Sequence, residues 1–394
     1  MDFEFDEHQN DLHEAVREIL TKEVPSGVLR KVIDGDSTDA LWQTYVSLDW
    51  PGLALDVAHG GSGATAVELA IVIEQLGYVA DPTGFVATTT QFAPLVAACG
   101  NDAQRARLLG AVANGGTATI ALGAPSGRWN AETSPVSTRR TDAGWVLEGT
   151  ACFVLDGDRA DEIAVIARTD GSAGGSADGS ADGGDIDVFV VPGTAVTATR
   201  IETMDPTMHL ADVCFDGVVV DEDRRLNGVD PSQRLAAVGR ANDEALTGLA
   251  AMMVGACQRA LDMVVDYVSQ RHQFGVPVGS FQAVKHKAVD MHLAIERARA
   301  LAYFAALTIA EDDARRPLAA AMAKAAAGEA QRLVFQDSIQ LFGGIGFTWE
   351  NDIHLYVRRA KALELIFGGA ADHRAVVGGL VMAAAFETST GAAR

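Results

Sequence analysis

The sequence predicts a mainly α-helical protein with a central β-domain, and three observations carry that expectation. Through the first third, apolar residues recur at intervals of three and four, as in Leu12–Leu20 and again in Ala66–Leu76. From about Thr117 to Val220 the pattern changes to short β-rich runs: Thr117–Leu122, Gly144–Leu147, Glu162–Ile166 and Ile186–Val191. Gly, Asp, Ser and Pro separate them. From about Leu235 the helical period returns. The expected domains are an N-terminal α-helical domain (1–116), a middle β-domain (117–225) and a C-terminal α-helical bundle (226–394).

Within the first domain, Trp50-Pro51-Gly52 and His59–Gly63 mark loops, and Pro82 and Gly84 interrupt the pattern before a helical stretch near Phe92–Cys99. The Gly/Ser/Ala/Asp tract Thr169–Gly184 reads as a flexible hairpin loop. The C-terminal pattern suggests helices over Asp243–Arg271, Phe281–Glu311, Pro317–Phe342, Asp352–Ile366 and Ala371–Phe386. Pro317 sits where a first helical turn tolerates proline, and Gly343-Gly344 where a helix stops. Alanine-rich faces on long helices pack closely, as in a bundle.

A chain of 394 residues with 48% hydrophobic and 21% charged residues can bury a large core, so it is globular rather than disordered. A formal charge of -22 argues against nucleic acid as a partner, although Arg358-Arg359 with Lys361 forms a local basic patch. Cys99, Cys152, Cys214 and Cys257 lack metal-ligand spacing and read as buried free thiols, and His286, His292 and His354 lack companions at metal spacing; no metal is expected. The acidic N-terminus has no basic and apolar leader pattern, and no apolar run reaches the ~18 residues that span a bilayer. The expectation is a cytoplasmic protein without a membrane partner.

Two stretches carry the chemistry. One is Arg271-His-Gln-Phe-Gly-Val-Pro-Val-Gly-Ser-Phe-Gln282, the other Gln340-Leu-Phe-Gly-Gly-Ile-Gly-Phe-Thr-Trp-Glu350. Arg271 offers a fork for paired, charge-assisted hydrogen bonds to a diphosphate. Gln273 and Gln340 offer amides to polar cofactor edges. Gly343 and Gly344 let backbone N–H groups approach phosphate or ribose, and Phe274 can pack on an apolar part of a cofactor.

With these motifs in their order, the chain resembles the acyl-CoA dehydrogenase family over essentially its whole length. Trp50–Gly63 followed by Ile73-Glu-Gln-Leu-Gly77 is similar to the family's N-terminal loop and helix, and Arg271-x-Gln-Phe-Gly, Phe281-Gln282 and Gln340-x-x-Gly-Gly-x-Gly346 to its C-terminal signatures. The resemblance implies N-terminal helices, a middle β-barrel-like domain and a C-terminal four-helix bundle. It implies tetramers with FAD between subunits, the flavin ring against one subunit's β-domain and the nucleotide end reaching the neighbour's bundle. It implies oxidation of an acyl-CoA thioester to its 2,3-enoyl form, with a carboxylate removing the α-proton.

Against that pattern the chain departs in three places. Gly368 stands where many members carry the glutamate base, in Ile366-Phe367-Gly368-Gly369-Ala370. Glu244 lies one residue from the alternative base position near the start of the first bundle helix, and an acid there also suits a first helical turn. The flavin-lining segment reads Leu122–Asn130, with Phe153 for the tryptophan beside the flavin and Leu155 for a ring-bonding hydroxyl. The expected reading is a subunit of a heteromeric α2β2 acyl-CoA dehydrogenase that lends Arg271, Gln273, Phe274, Gln340, Gly343 and Gly344 in trans to a second subunit's FAD. The alternatives are a self-sufficient homotetramer using Glu244, a non-catalytic scaffold, and a flavin monooxygenase on the same fold.

Overall fold

The computed structural model describes residues 5–169 and 185–391. Six helices come first: α1 (Glu7–Glu23), α2 (Ser26–Ile33), α3 (Asp39–Ser47), α4 (Ala66–Tyr78), α5 (Ala93–Cys99) and α6 (Asp102–Ala113). Seven strands follow: β1 (Ala118–Ala121), β2 (Val136–Thr141), β3 (Gly144–Leu155), β4 (Glu162–Thr169), β5 (Ile186–Pro192), β6 (Thr197–Ile201) and β7 (Leu210–Val220). The remainder is α7 (Pro231–Gln270), a small hairpin of β8 (His272–Gln273) and β9 (Val276–Pro277), then α8 (Gln282–Ala310), α9 (Arg316–Phe342), α10 (Ile353–Leu365) and α11 (Ala370–Gly391). The chain divides into two compact units. One joins Met1–Gly35, Ala66–Asp81 and Leu246–Arg394; the other joins Asp36–Thr65 and Pro82–Ala245.

The first unit is a helical bundle. Asp6 closes the start of α1 with a capping box, accepting from the Gln9 backbone N–H at 2.8 Å while the Gln9 side chain accepts from the Asp6 N–H. α4 and α7 touch backbone to backbone: a Cβ on Gly255 would lie 1.8 Å from the Glu74 carbonyl oxygen, so only glycine fits there. Glu74 is buried on the same helix, and its carboxylate accepts from Arg299 Nε at 3.0 Å and Tyr303 Oη at 2.9 Å. α9 buries the small side chains of Ala319, Ala320, Ala323, Ala327 and Ala330, the close packing that its composition predicts. α7 starts at Pro231, well before the Asp243 expected from periodicity, because its first turns carry too few apolar residues to announce a helix.

Two stretches are long and apolar enough, by length and composition, to cross a membrane, against the expectation of none: Pro231–Gln270 and Ile353–Ala385. The apolar window of the first is 72% buried within the protein, as in the core helix of a globular fold, and that of the second only 11%. The second includes the non-helical turn Ile366–Gly369.

In the second unit, one sheet runs in the order β1-β4-β2-β3-β7-β6, with β5 also paired to β4. Among the described residues β1 and β6 end the path, so the sheet does not close and the barrel-like expectation is corrected to an open sheet. β1 and β2 run parallel to β4; the remaining pairs are antiparallel. Leu147, Val165, Phe189, Val191, Val213 and Phe215 form its core. Polar β2 and β6, and β7 broken by Asp216-Gly217, fall outside the sequence-expected strands. The tract read as a hairpin loop lies, beyond Thr169, outside the described residues. Cys99, Cys152 and Cys257 are buried and Cys214 half-buried, all free.

Candidate functional site

The two glycine-broken stretches emerge from one end of the bundle. The Tyr267 ring packs on Phe342 with centroids 4.9 Å apart, joining the last turns of α7 and α9. Beyond α7, β8 and β9 pair His272 with Pro277 and Gln273 with Val276 around a two-residue turn. Phe274 (φ +53°) and Gly275 (φ +81°) both take left-handed backbone there, the signature of a type I′ hairpin. A phenylalanine rarely adopts that conformation, and Phe274 is 92% exposed, so the turn holds an aromatic ring in open solvent.

Arg271 and Gln273 are exposed as well, and Arg271 forms no ion pair among the described residues. Among the described residues, Gln273 Nε2 donates to the neighbouring His272 carbonyl, at 2.8 Å. Past α9, Gly343 (φ +64°) caps the helix by donating to the Ile339 carbonyl. A Cβ on Gly343 or Gly344 would meet nothing within 4 Å, and Gln340 is exposed. Ile345, Phe347 and Trp349 add uncovered apolar surface. A free guanidinium, side-chain amides, bare backbone and an exposed ring suit the diphosphate and sugar end of a dinucleotide; these residues fit the nucleotide end of FAD.

The turn after α10 is built in the opposite way. Lys324, wholly buried on α9, donates to the carbonyls of Glu364 (2.8 Å), Ile366 (3.0 Å) and Gly368 (2.8 Å). The Glu364 carbonyl is one that the last turn of α10 leaves without an intrahelical partner, and those of Ile366 and Gly368 belong to the turn beyond it. Burial lowers the Lys324 pKa to about 7, with Glu364 and Asp372 pulling it back up. Glu364 also accepts from Lys361 Nζ at 2.5 Å and the Ala370 N–H at 3.1 Å, and Asp372 from the Gly369 N–H at 2.9 Å. His373 Nε2 lies 2.9 Å from the Phe367 carbonyl oxygen; burial lowers its pKa, with Lys324 acting in the same direction. Gly368 has φ +94°, and a Cβ there would lie 3.3 Å from His373 Nε2 and 3.5 Å from Asp372 Cβ. The place of the expected carboxylate is thus a left-handed backbone position that glycine adopts freely and a side chain would strain, with Asp372 and His373 beside it.

Glu244 lies far along α7, about three and a half turns after Pro231. The reading of it as a residue near the helix start, steadied by the helix dipole, is corrected by the earlier start of α7. Its carboxylate lies 3.9 Å from Arg240 Nε, one turn back, with both side chains about a third exposed or less.

In the sheet, β3 is irregular between Ala151 and Val154, and Phe153 there adopts φ +55°. Its ring meets Trp129, centroids 6.3 Å apart and tilted 52°. Trp129 Nε1 would be 3.0 Å from a Cβ on Gly123, whose carbonyl accepts from the Cys152 N–H at 2.7 Å. Two protein aromatics, with the aliphatic Leu155 buried nearby on β3, occupy the run expected to line a flavin ring. These residues do not fit isoalloxazine: they supply ring against ring and no hydroxyl at 153 or 155.

The basic patch is dispersed. Arg359 is buried and donates to the Asp81 carbonyl, Lys361 pairs with Glu364, and the Arg358 guanidinium lies 5.4 Å from the Trp349 ring centre. His354 stacks on Trp349 at 4.5 Å. Lys324 and Trp129 escaped sequence reasoning. A lone lysine inside an alanine run and a tryptophan in a polar loop were the only signals.

Residues 237–379 match the family model described as "Acyl-CoA dehydrogenase, C-terminal domain", and residues 6–116 match "Acyl-CoA dehydrogenase, N-terminal domain". The chain is 30% identical over 357 residues to acyl-CoA dehydrogenase IpdE2 of Mycobacterium tuberculosis, covering 90% of this chain and 91% of that one. Among solved structures, it is similar to butyryl-CoA dehydrogenase from Megasphaera elsdenii (TM-score 0.87, 25% identity, 97% of this chain and 100% of the other). It is also similar to a chain of the ChsE4-ChsE5 complex from Mycobacterium tuberculosis (TM-score 0.84, 25% identity, 97% and 99%).

Proposed function

Since this chain belongs to the acyl-CoA dehydrogenase family of FAD-dependent oxidoreductases, we propose that it works as one subunit of a heteromeric acyl-CoA dehydrogenase and completes the FAD site of a second, unlike subunit. The observation that carries this reading is the exposure of Phe274, 92%, beside an unpaired Arg271, while Trp129 and Phe153 fill the chain's own ring-lining run. Bound FAD supplies the two-electron acceptor for the family's α,β-dehydrogenation. The Arg271 guanidinium would donate hydrogen bonds to the diphosphate, and its charge would offset that of the phosphates. The N–H groups around Gly343 and Gly344 would be open to oxygens that a side chain would keep away. Gln273 and Gln340 would orient the polar edges, and Phe274 would cover an apolar face.

The chain offers no carboxylate at Gly368, so in this reading the second subunit holds the base that takes the α-proton. A proton of that acidity needs a close, partly desolvated acceptor. The similarity to a ChsE4-ChsE5 chain supports an assembly of unlike subunits.

The test is flavin content and enoyl-forming activity of the chain purified alone and co-purified with an unlike family member. Expected are a colourless chain and a yellow, active complex. A chain that alone carries stoichiometric FAD and turns over acyl-CoA would instead support the self-sufficient homotetramer with Glu244 as base. A chain that no family member renders yellow would support the scaffold, and oxygen incorporated into product the monooxygenase.

A further inference from the structure

The segment between Pro82 and α5 carries a feature that the nucleotide end does not use. Ala87–Phe92 forms a turn of π-helix, in which the Ala93 N–H donates to the Thr88 carbonyl. Such turns recur at functional sites because the extra residue re-aims side chains. Four consecutive polar residues, Thr88 to Gln91, are buried on it. Three of them are matched within the chain. Thr88 Oγ1 donates to the Ala118 carbonyl at 3.1 Å and accepts from the Ala118 N–H at 3.0 Å, pinning the turn to β1. Thr89 donates to the Phe85 carbonyl and Thr90 to the Val86 carbonyl, each at 2.8 Å. Gln91 differs: it is 1% exposed, and its Nε2 has no hydrogen-bond partner among the described residues.

A buried amide donor left unmatched carries its full desolvation penalty, and native folds retain few such groups. Leucine or methionine would fill similar space without that penalty. We propose that Gln91 marks a binding site within the second unit, where its side-chain amide donates to an oxygen on the acyl group of a CoA thioester. Nε2 is a donor only, so the ligand must present an acceptor: a hydroxyl, ketone or carboxylate oxygen on the chain. The flavin ring is not the acceptor, because Trp129 and Phe153 occupy the run that would line it. The thioester class rests on the function proposed above; the need for an oxygen acceptor rests on Gln91 alone. Binding here requires neither flavin nor a base.

The experiment compares the purified full-length chain with its Gln91→Leu variant. Without ligand, Gln91→Leu is expected to melt about 2–4 °C higher, because an unmatched donor is removed. In binding titrations, the wild type is expected to hold ω-hydroxyoctanoyl-CoA or its ω-carboxy analogue about tenfold tighter than octanoyl-CoA, a preference that Gln91→Leu abolishes. A variant that melts lower shows that the amide is satisfied internally, for instance by water, and overturns the inference. Equal wild-type affinities for all three thioesters also overturn it while leaving the thioester reading standing. Failure of every thioester to bind overturns both the thioester class and the site, and flavin content of the complex then decides the trans role separately.

Discussion

The nucleotide-end stretches and the turn after α10 lie in the same helical unit, and they handle polar groups in opposite ways. Around Arg271, Phe274 and Gly343, side chains and backbone face open space. Around Gly368, the side chains of Lys324, Glu364 and Asp372 and the Nε2 of His373 bond backbone groups, while His373 Nδ1 is buried without a partner among the described residues. The first region resembles half of an interface; the second is held by the chain's own groups. On the proposed reading, the exposed residues stand where an outside partner would meet them, whereas the turn at Gly368 is held by the chain's own side chains.

The largest expected effect comes from opening the closed region. Lys324→Met leaves three carbonyls, those of buried Glu364 and Ile366 and half-buried Gly368, without their donor and should lower stability by about 3 kcal/mol or more, read by chemical denaturation. The pH dependence sharpens the same point. Folding depresses the Lys324 pKa to about 7 from its ordinary value of 10.5. Below about 7 both states hold the proton and the burial penalty is fully present. Between about 7 and 10.5 the unfolded chain holds more protons than the folded one, so stability rises with pH. The wild type should therefore gain stability over that window relative to Lys324→Met; a parallel pH profile would show that Lys324 does not titrate in the fold.

Next is Arg271→Ala, the converse cut in the open region. It should leave the melting temperature of the chain unchanged within about 1 °C, since surface substitutions shift stability by under ~0.5 kcal/mol. It should weaken FAD retention by the complex about tenfold or more, the scale of a lost charge-assisted hydrogen bond. Equal flavin retention would remove Arg271 from the site.

Restoring the family's carboxylate tests whether the closed turn still belongs to the reaction. Gly368→Glu must adopt φ +94° with its Cβ 3.3 Å from His373 Nε2. The expected loss is about 1–3 kcal/mol from backbone strain, without enoyl-forming activity of the isolated chain. Activity gained by this single change would mean that the turn is still a working base site. The smallest effect is that of Phe274→Ala: stability unchanged within about 0.5 kcal/mol, since the ring is solvent-exposed, and FAD retention by the complex reduced only a few-fold.

Much of the architecture was legible because its signals are local. Pro317 lies in the first turn of α9 and Gly343 caps its end, where proline is tolerated and left-handed backbone favours glycine. The signals failed where tertiary pairing overrides local pattern. The polar strands β2 and β6 are recruited by β3, β4 and β7, and the polar first turns of α7 include Arg234, a buried residue paired with Asp187. The candidate nucleotide-end residues were proposed from the chain alone because an arginine, amides and glycines in short motifs suggest their chemistry without reference to neighbours. Lys324 and Trp129 were not, because their roles depend on partners tens of residues away.

The sequence by itself determined the succession of helical, β-rich and helical segments and the residue types offered to a dinucleotide's polar tail; periodicity and side-chain chemistry are properties of the chain alone. Only the tertiary structure decided that Lys324 holds the carbonyls before Gly368, that Trp129 meets Phe153, and that Gln91 is buried with an unmatched donor. Burial and hydrogen-bond satisfaction exist only once distant segments have packed.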